Sequence, residues 1–81
     1  MDRADIEKTI NEFLVEEIEI EENLIRDDAL LKNDLGIDSL DFVDIVVLVE
    51  RNFGFKIKAE EMTDIRTLRQ FYDYIDEKVN A

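Results

Sequence analysis

The residues best suited to chemistry lie in Asp34-Leu35-Gly36-Ile37-Asp38-Ser39-Leu40, where an acid and a hydroxyl stand side by side at the start of a predicted helix. A serine hydroxyl at an exposed helix N-terminus suits a covalently attached phosphate, because backbone N–H groups and the helix dipole both favour negative charge there. The same Asp-Ser pair also serves as ordinary helix-start punctuation, and composition does not choose between the two readings. Asp34, Asp38 and Asp41 raise a third idea, a calcium loop. The pattern D-x-[DN]-x-[DN]-G and its distal Glu are missing, so no metal site is expected.

Other chemistries are narrowed by what the chain lacks. Its 81 residues contain no His, Cys, Trp or Pro. A Ser-His-Asp triad needs an imidazole and a cysteine protease needs a thiol, so both are excluded, as are disulfides and thiolate zinc sites. With 22 acidic and 10 basic side chains the formal charge is −12. Phosphate backbones and anionic lipid surfaces are therefore poor partners, and basic protein surfaces are the natural complement. No apolar run is long enough to span a bilayer, and Met1-Asp2-Arg3-Ala4-Asp5 does not open as a secretory leader. A cytoplasmic protein is expected.

Three amphipathic helices must position the Asp-Ser pair. Ile6, Ile10, Phe13 and Leu14 recur at helical spacing in the first, with Asp2 as the expected N-cap. From about Glu16 to Asp38 the periodicity lapses, and the many apolar side chains scattered there predict a long loop packed over a bundle. Over Ser39 to Phe53 the run of Val and Ile tempts a strand assignment. The spacing of Phe42, Ile45, Val46, Val49 and Phe53 instead marks a helix, opened by an Asp38/Asp41 capping box and stopped by Gly54. Ala59 to Met62 has the length of one turn, and Leu68, Phe71, Tyr72, Ile75 and Val79 stripe a closing helix that starts with a Thr67/Gln70 capping box. The expected fold is all-α: a small antiparallel bundle of three main helices plus one short helix, with a long loop between the first and second.

Once that core is assigned, Leu40, Val43 and Val47 remain on the far side of the middle helix, beside Asp44 and Glu50. From Asp34 through Glu50 there are five acids (Asp34, Asp38, Asp41, Asp44, Glu50) and no base. An apolar strip edged by one sign of charge is a candidate partner surface. The competing reading is a merely solvated face whose apolar residues are covered by the long loop.

The motif Asp34 to Leu40, followed by Val43-Asp44-Ile45-Val46, resembles the acyl carrier proteins, whose signature is D-L-G-x-D-S-L and then a V-E-L-V-like run. Length, acidity and a closing helix with Tyr74 and Ile75 extend the resemblance over essentially the whole chain, as one carrier domain spanning 1–81. The resemblance implies that Ser39 bears 4′-phosphopantetheine, transferred from coenzyme A by a magnesium-dependent phosphopantetheinyl transferase. Acyl groups then ride on the arm as thioesters, and the chain is a monomeric carrier rather than an enzyme. Asp38 would help the transferase grip the site. Leu40, Val43 and Val47 match positions that contact partner enzymes, and Asp44 matches an acid that meets Arg or Lys on them, with Asp41 and Glu50 on the same acidic surface. Those partners would be an acyl-loading ligase, a ketosynthase and other acyl-processing enzymes of fatty-acid, polyketide or related lipid biosynthesis.

Gly36-Ile37-Asp38-Ser39 departs from the G-G-x-S of peptidyl carriers, and Leu40 stands where D-alanyl carriers commonly have Met. An acyl type is thus implied, with a D-alanyl or aminoacyl carrier and an unmodified acidic docking module as alternatives. Lys32, Arg51 and Phe42 depart from typical fatty-acid carriers. Phe42 is bulkier than the small residue usual at its position, which implies a smaller internal cavity for cargo and a specialised carrier.

Overall fold

Ile6, Ile10, Phe13 and Leu14 are buried along one side of α1 (Arg3–Glu16), as their spacing requires. The computed structural model describes residues 1–80. Three further helices follow, α2 (Ser39–Phe53), α3 (Ala59–Met62) and α4 (Leu68–Asn80), and a 3-10 turn covers Glu22–Leu24. The architecture is the expected small all-α bundle. The helix termini follow local chemistry, with Thr67 Oγ1 accepting from the Gln70 N–H at 3.2 Å and Gln70 Oε1 accepting from the Thr67 N–H at 3.1 Å. Gly54 ends α2 in the left-handed region at φ 80°, where a side chain would strain the backbone. Asp2 occupies the N-cap position of α1, but its carboxylate makes no capping hydrogen bond. That expectation is corrected: the dipole can favour an acid there without a formed cap.

α1 and α4 run antiparallel. Arg3, at the start of α1, reaches Asp73 at 2.7 Å and Asp76 at 3.1 Å on α4, while further along α1 the Asn11 side chain accepts from the Tyr72 hydroxyl. The Arg3 guanidinium also lies 5.8 Å from the centre of the Tyr72 ring, within cation–π range.

The long connection before α2 is anchored at both its apolar and its polar groups. Ile20, Ala29, Leu35 and Ile37 are buried in the core. Leu31 N–H donates to the Arg66 carbonyl at 2.9 Å and Leu68 N–H to the Ala29 carbonyl at 2.9 Å, around an isolated antiparallel bridge between Leu30 and Thr67. The connection thus brings short regular pieces to a stretch whose periodicity predicted none. These pieces fasten the approach to Ser39 onto the start of α4.

The expected stripe of α2 needs one correction. Ile45 and Val49 are buried, but so is Leu48, whereas Phe42, Val46 and Phe53 are only partly buried. The helix is therefore rotated, by roughly half of a 100° residue step, toward α1. Leu48 and Phe13 line the same cleft between the two helices. Among the described residues every buried side-chain polar atom has a hydrogen-bond partner. None of the described helices is long and apolar enough to cross a membrane.

Candidate functional site

Ser39 is the first residue of α2, and it is exposed. The conformation that presents it is set by its neighbours. Asp38 is extended, and its Oδ1 accepts from the N–H groups of Leu40 at 3.0 Å and Asp41 at 2.9 Å. Asp41 returns the contact, its Oδ2 accepting from the Asp38 N–H at 3.4 Å, so the acidic capping box is complete. Upstream, Asp34 Oδ2 accepts from the Leu30 N–H at 2.8 Å, and Ile37 N–H donates to the Leu31 carbonyl at 3.0 Å. Gly36 takes φ 70°, the left-handed turn that brings the chain from this loop to the helix. Each acid of the motif thus has a backbone partner. Asp34, Asp38 and Asp41 are employed in shaping the loop and cap, and no group of carboxylates suited to a metal ion occurs among the described residues.

The Ser39 hydroxyl makes no hydrogen bond among the described residues, in contrast to the three carboxylates around it. A covalently tethered phosphate group therefore fits: the oxygen is exposed and uncommitted. A phosphate cradle of backbone amides does not form, because Asp38 already occupies the N–H groups of Leu40 and Asp41. What remains is the dipole of a 15-residue helix. The Asp38 and Asp41 carboxylates beside Ser39 would repel a phosphodiester rather than hold it at the cap.

The predicted partner residues stand together on the outer side of α2. Leu40 is 77 % exposed, Val43 59 % and Val47 48 %, so the long loop does not cover them. Asp44 and Glu50 are exposed and Asp41 is half-buried. The strip of three apolar side chains rimmed by acids begins one residue after Ser39.

Sequence reasoning missed the anchoring of this site from the far side of the bundle. Thr67 and Arg66, at the start of α4, hold Leu30 and Leu31 through backbone contacts. The only local signal was the Thr67/Gln70 capping box, which marks where α4 begins but not what it holds. A second missed group is Glu61, which receives Lys78 Nζ at 3.1 Å and the Tyr74 hydroxyl at 3.3 Å and so fastens α3 to α4. Lys78 holds the Glu61 carboxyl below the usual carboxylate range, and Glu61 in turn raises Lys78.

The family model for the phosphopantetheine attachment site matches residues 8–75, which takes in α2, α3, the loop between α1 and α2, and most of α1 and α4. Its members bear covalently attached 4′-phosphopantetheine, are modified by phosphopantetheinyl transferases and interact with acyl-processing enzymes. A helical bundle that presents an uncommitted serine at a capped helix start, matched over this span, belongs to the phosphopantetheine-binding carrier family, of the acyl carrier type.

Proposed function

We propose that this chain is an acyl carrier protein, a single domain over residues 1–81, that bears 4′-phosphopantetheine on Ser39. The observation that carries the assignment is the state of the Ser39 hydroxyl. It is exposed at the first position of α2 with no hydrogen bond among the described residues, while each acid beside it is engaged by backbone. Bound there, the group would supply the thiol that the sequence lacks, and acyl groups would be held on it as thioesters.

The chain's own contribution is presentation. Attachment requires Ser39 Oγ to bond to phosphorus as the nucleotide portion of coenzyme A leaves, and a base must take the hydroxyl proton. Asp38 and Asp41 are committed to the cap, so the base belongs to the transferase, as does the metal. Asp38 acts by fixing the backbone that presents Ser39. The surface of Leu40, Val43 and Val47, with Asp41, Asp44 and Glu50 as its acidic members, is the proposed landing site for basic faces on the transferase, a loading ligase, a ketosynthase and other acyl-processing enzymes. Charge complementarity there would set orientation and on-rate, while the apolar strip would supply the buried contact. Fatty-acid, polyketide or related lipid biosynthesis, in the cytoplasm, is the proposed setting, with the chain acting as cargo bearer rather than catalyst.

The test is intact-protein mass spectrometry after incubation with coenzyme A, magnesium and a broad-specificity phosphopantetheinyl transferase, alongside Ser39→Ala. A gain of one phosphopantetheine by the wild type alone is expected. No gain in a folded sample, with a known carrier modified in parallel, overturns the assignment in favour of an unmodified docking module. A gain by Ser39→Ala as well moves the attachment to another residue.

A further inference from the structure

Arg51 breaks the charge pattern of the outer α2 surface. From Asp34 through Glu50 there are five acids and no base, and from Arg51 through Lys58 there are three bases (Arg51, Lys56, Lys58) and no acid. All three bases are exposed. At about 100° and 1.5 Å per residue, Arg51 falls within about 20° of Asp44 on the helix surface and about 10 Å further along its axis. It also stands one turn beyond Val47, at i+4. One edge of the apolar strip of Leu40, Val43 and Val47 therefore carries an acid toward Ser39 and a base at the far end.

The fold leaves that base uncommitted. Among the described residues the ion pairs engage Arg3, Arg69 and Lys78, and none engages Arg51. Glu12, Glu16 and Glu17 line the same cleft as Arg51 without pairing with it. A cation in the last turn of α2 is favoured by the helix dipole, but that role leaves the donors of its side chain free. Lys58, by contrast, adds to the positive field on Glu61 and so serves within the fold.

A guanidinium is a planar fork of donors whose natural complement is a carboxylate. A uniformly basic partner face would set a cation against Arg51 and lose part of what it gained at Asp44. A second copy of this chain is a poor occupant, because each copy carries a charge of −12. We propose that Arg51 is a specificity residue of the partner surface, selecting acyl-processing proteins whose docking face is basic opposite Asp44 and bears a carboxylate about 10 Å away opposite Arg51. The inference rests on the reading of this face as a partner surface, given above, and adds the partner's charge pattern. It does not depend on attachment at Ser39.

The test uses the full, unmodified chain and stapled amphipathic helical peptides that share one apolar face. One peptide has Lys at both ends of a polar edge two turns long, and two others carry Glu in place of one Lys or the other. A compensating Lys on the opposite face keeps their net charges equal. Fluorescence anisotropy gives the affinities, and amide ¹H–¹⁵N spectra locate binding through Leu40, Val43 and Val47. The wild type is expected to bind one of the Glu-bearing peptides about two- to fivefold more tightly than the all-Lys peptide, the worth of one exposed ion pair. Arg51→Lys should retain that preference, Arg51→Ala should lose it, and Arg51→Glu should reverse it. Thermal melts verify that each variant is folded, as expected for changes at an exposed side chain. Movement of the strip amides with no preference for Glu, or with a preference unchanged in Arg51→Ala, overturns the role of Arg51 and leaves the surface standing. No movement with any peptide overturns the surface reading and the inference with it. Self-association of the wild type in sedimentation, lost in Arg51→Glu, assigns the face to a second copy and also overturns the proposal.

Discussion

In the proposed role of Ser39, the reacting oxygen and the structure that presents it are supplied by different residues, so they separate by mutation. Ser39→Ala removes the proposed nucleophile and leaves the Asp38/Asp41 box intact. Asp38→Ala removes the acceptor for two N–H groups and is expected to lower stability by about 1 kcal/mol in denaturant unfolding, the usual worth of an N-cap. Asp38→Asn, also a good cap, should recover most of the loss, and an Asn variant as unstable as the Ala variant would refute the capping role. The two tyrosines give a second residue-level expectation. Burial pushes the Tyr72 hydroxyl up to about 12 from an ordinary 10.0, and burial also raises Tyr74. A phenol with a raised folded-state value stabilises the fold fully below about pH 10, and that contribution is lost as pH climbs toward about 12. Tyrosinate absorbance should therefore appear together with loss of helical circular dichroism. The whole two-tyrosine change appearing near pH 10 with helicity intact would contradict the packing around Tyr72.

Within α2, adjacent residues should behave in opposite ways. Leu48 is 7 % exposed against α1 and Val47 is 48 % exposed on the outer strip. Leu48→Ala is expected to cost about 2–5 kcal/mol, and Val47→Ala to stay within about 0.5 kcal/mol while weakening capture by acyl-processing partners. Comparable losses of stability would mean that the strip is covered. The contrast also shows which features could be read in advance. The Asp38/Asp41 and Thr67/Gln70 boxes and the Gly54 stop are legible because each involves residues within a few positions of one another. The outward placement of Leu40, Val43 and Val47 follows from helical period alone. Leu48 was not foreseen because a wheel gives relative angles, and the direction of the core is set by α1. The bridge from Leu30 to Thr67 and the contact of Glu61 with Lys78 were equally illegible, since nothing local in either partner names the other. The Asp-Ser motif at the start of α2 was readable in the sequence, and so was the Asp38 cap, but what the cap means for a phosphate was not drawn from it: the N–H groups of Leu40 and Asp41 are already taken by Asp38.

Across the whole molecule, the charge of −12 must be reconciled with a body only 29 × 26 × 21 Å in extent. Two electrostatic effects compete when salt is added. The ion pairs of Arg3 with Glu7, Asp73 and Asp76, and of Lys78 with Glu61, lie at 2.7 to 3.1 Å, well inside any screening length reached at moderate ionic strength. Repulsion among the excess carboxylates acts over longer distances, much of the breadth of the bundle. At about 0.01 M salt the Debye length is roughly 30 Å, which spans the protein, and at about 0.1 M it falls to roughly 10 Å. Moderate salt therefore screens most of the repulsion while leaving the close pairs largely in place. Tm should rise between these two concentrations in a thermal melt followed by circular dichroism. A Tm that is flat or falls would show that the ion pairs binding α1 and α3 to α4 outweigh the repulsion. The same field bears on docking: association with a basic partner through the Asp44 side of α2 should slow over the same salt range in which the free carrier becomes more stable.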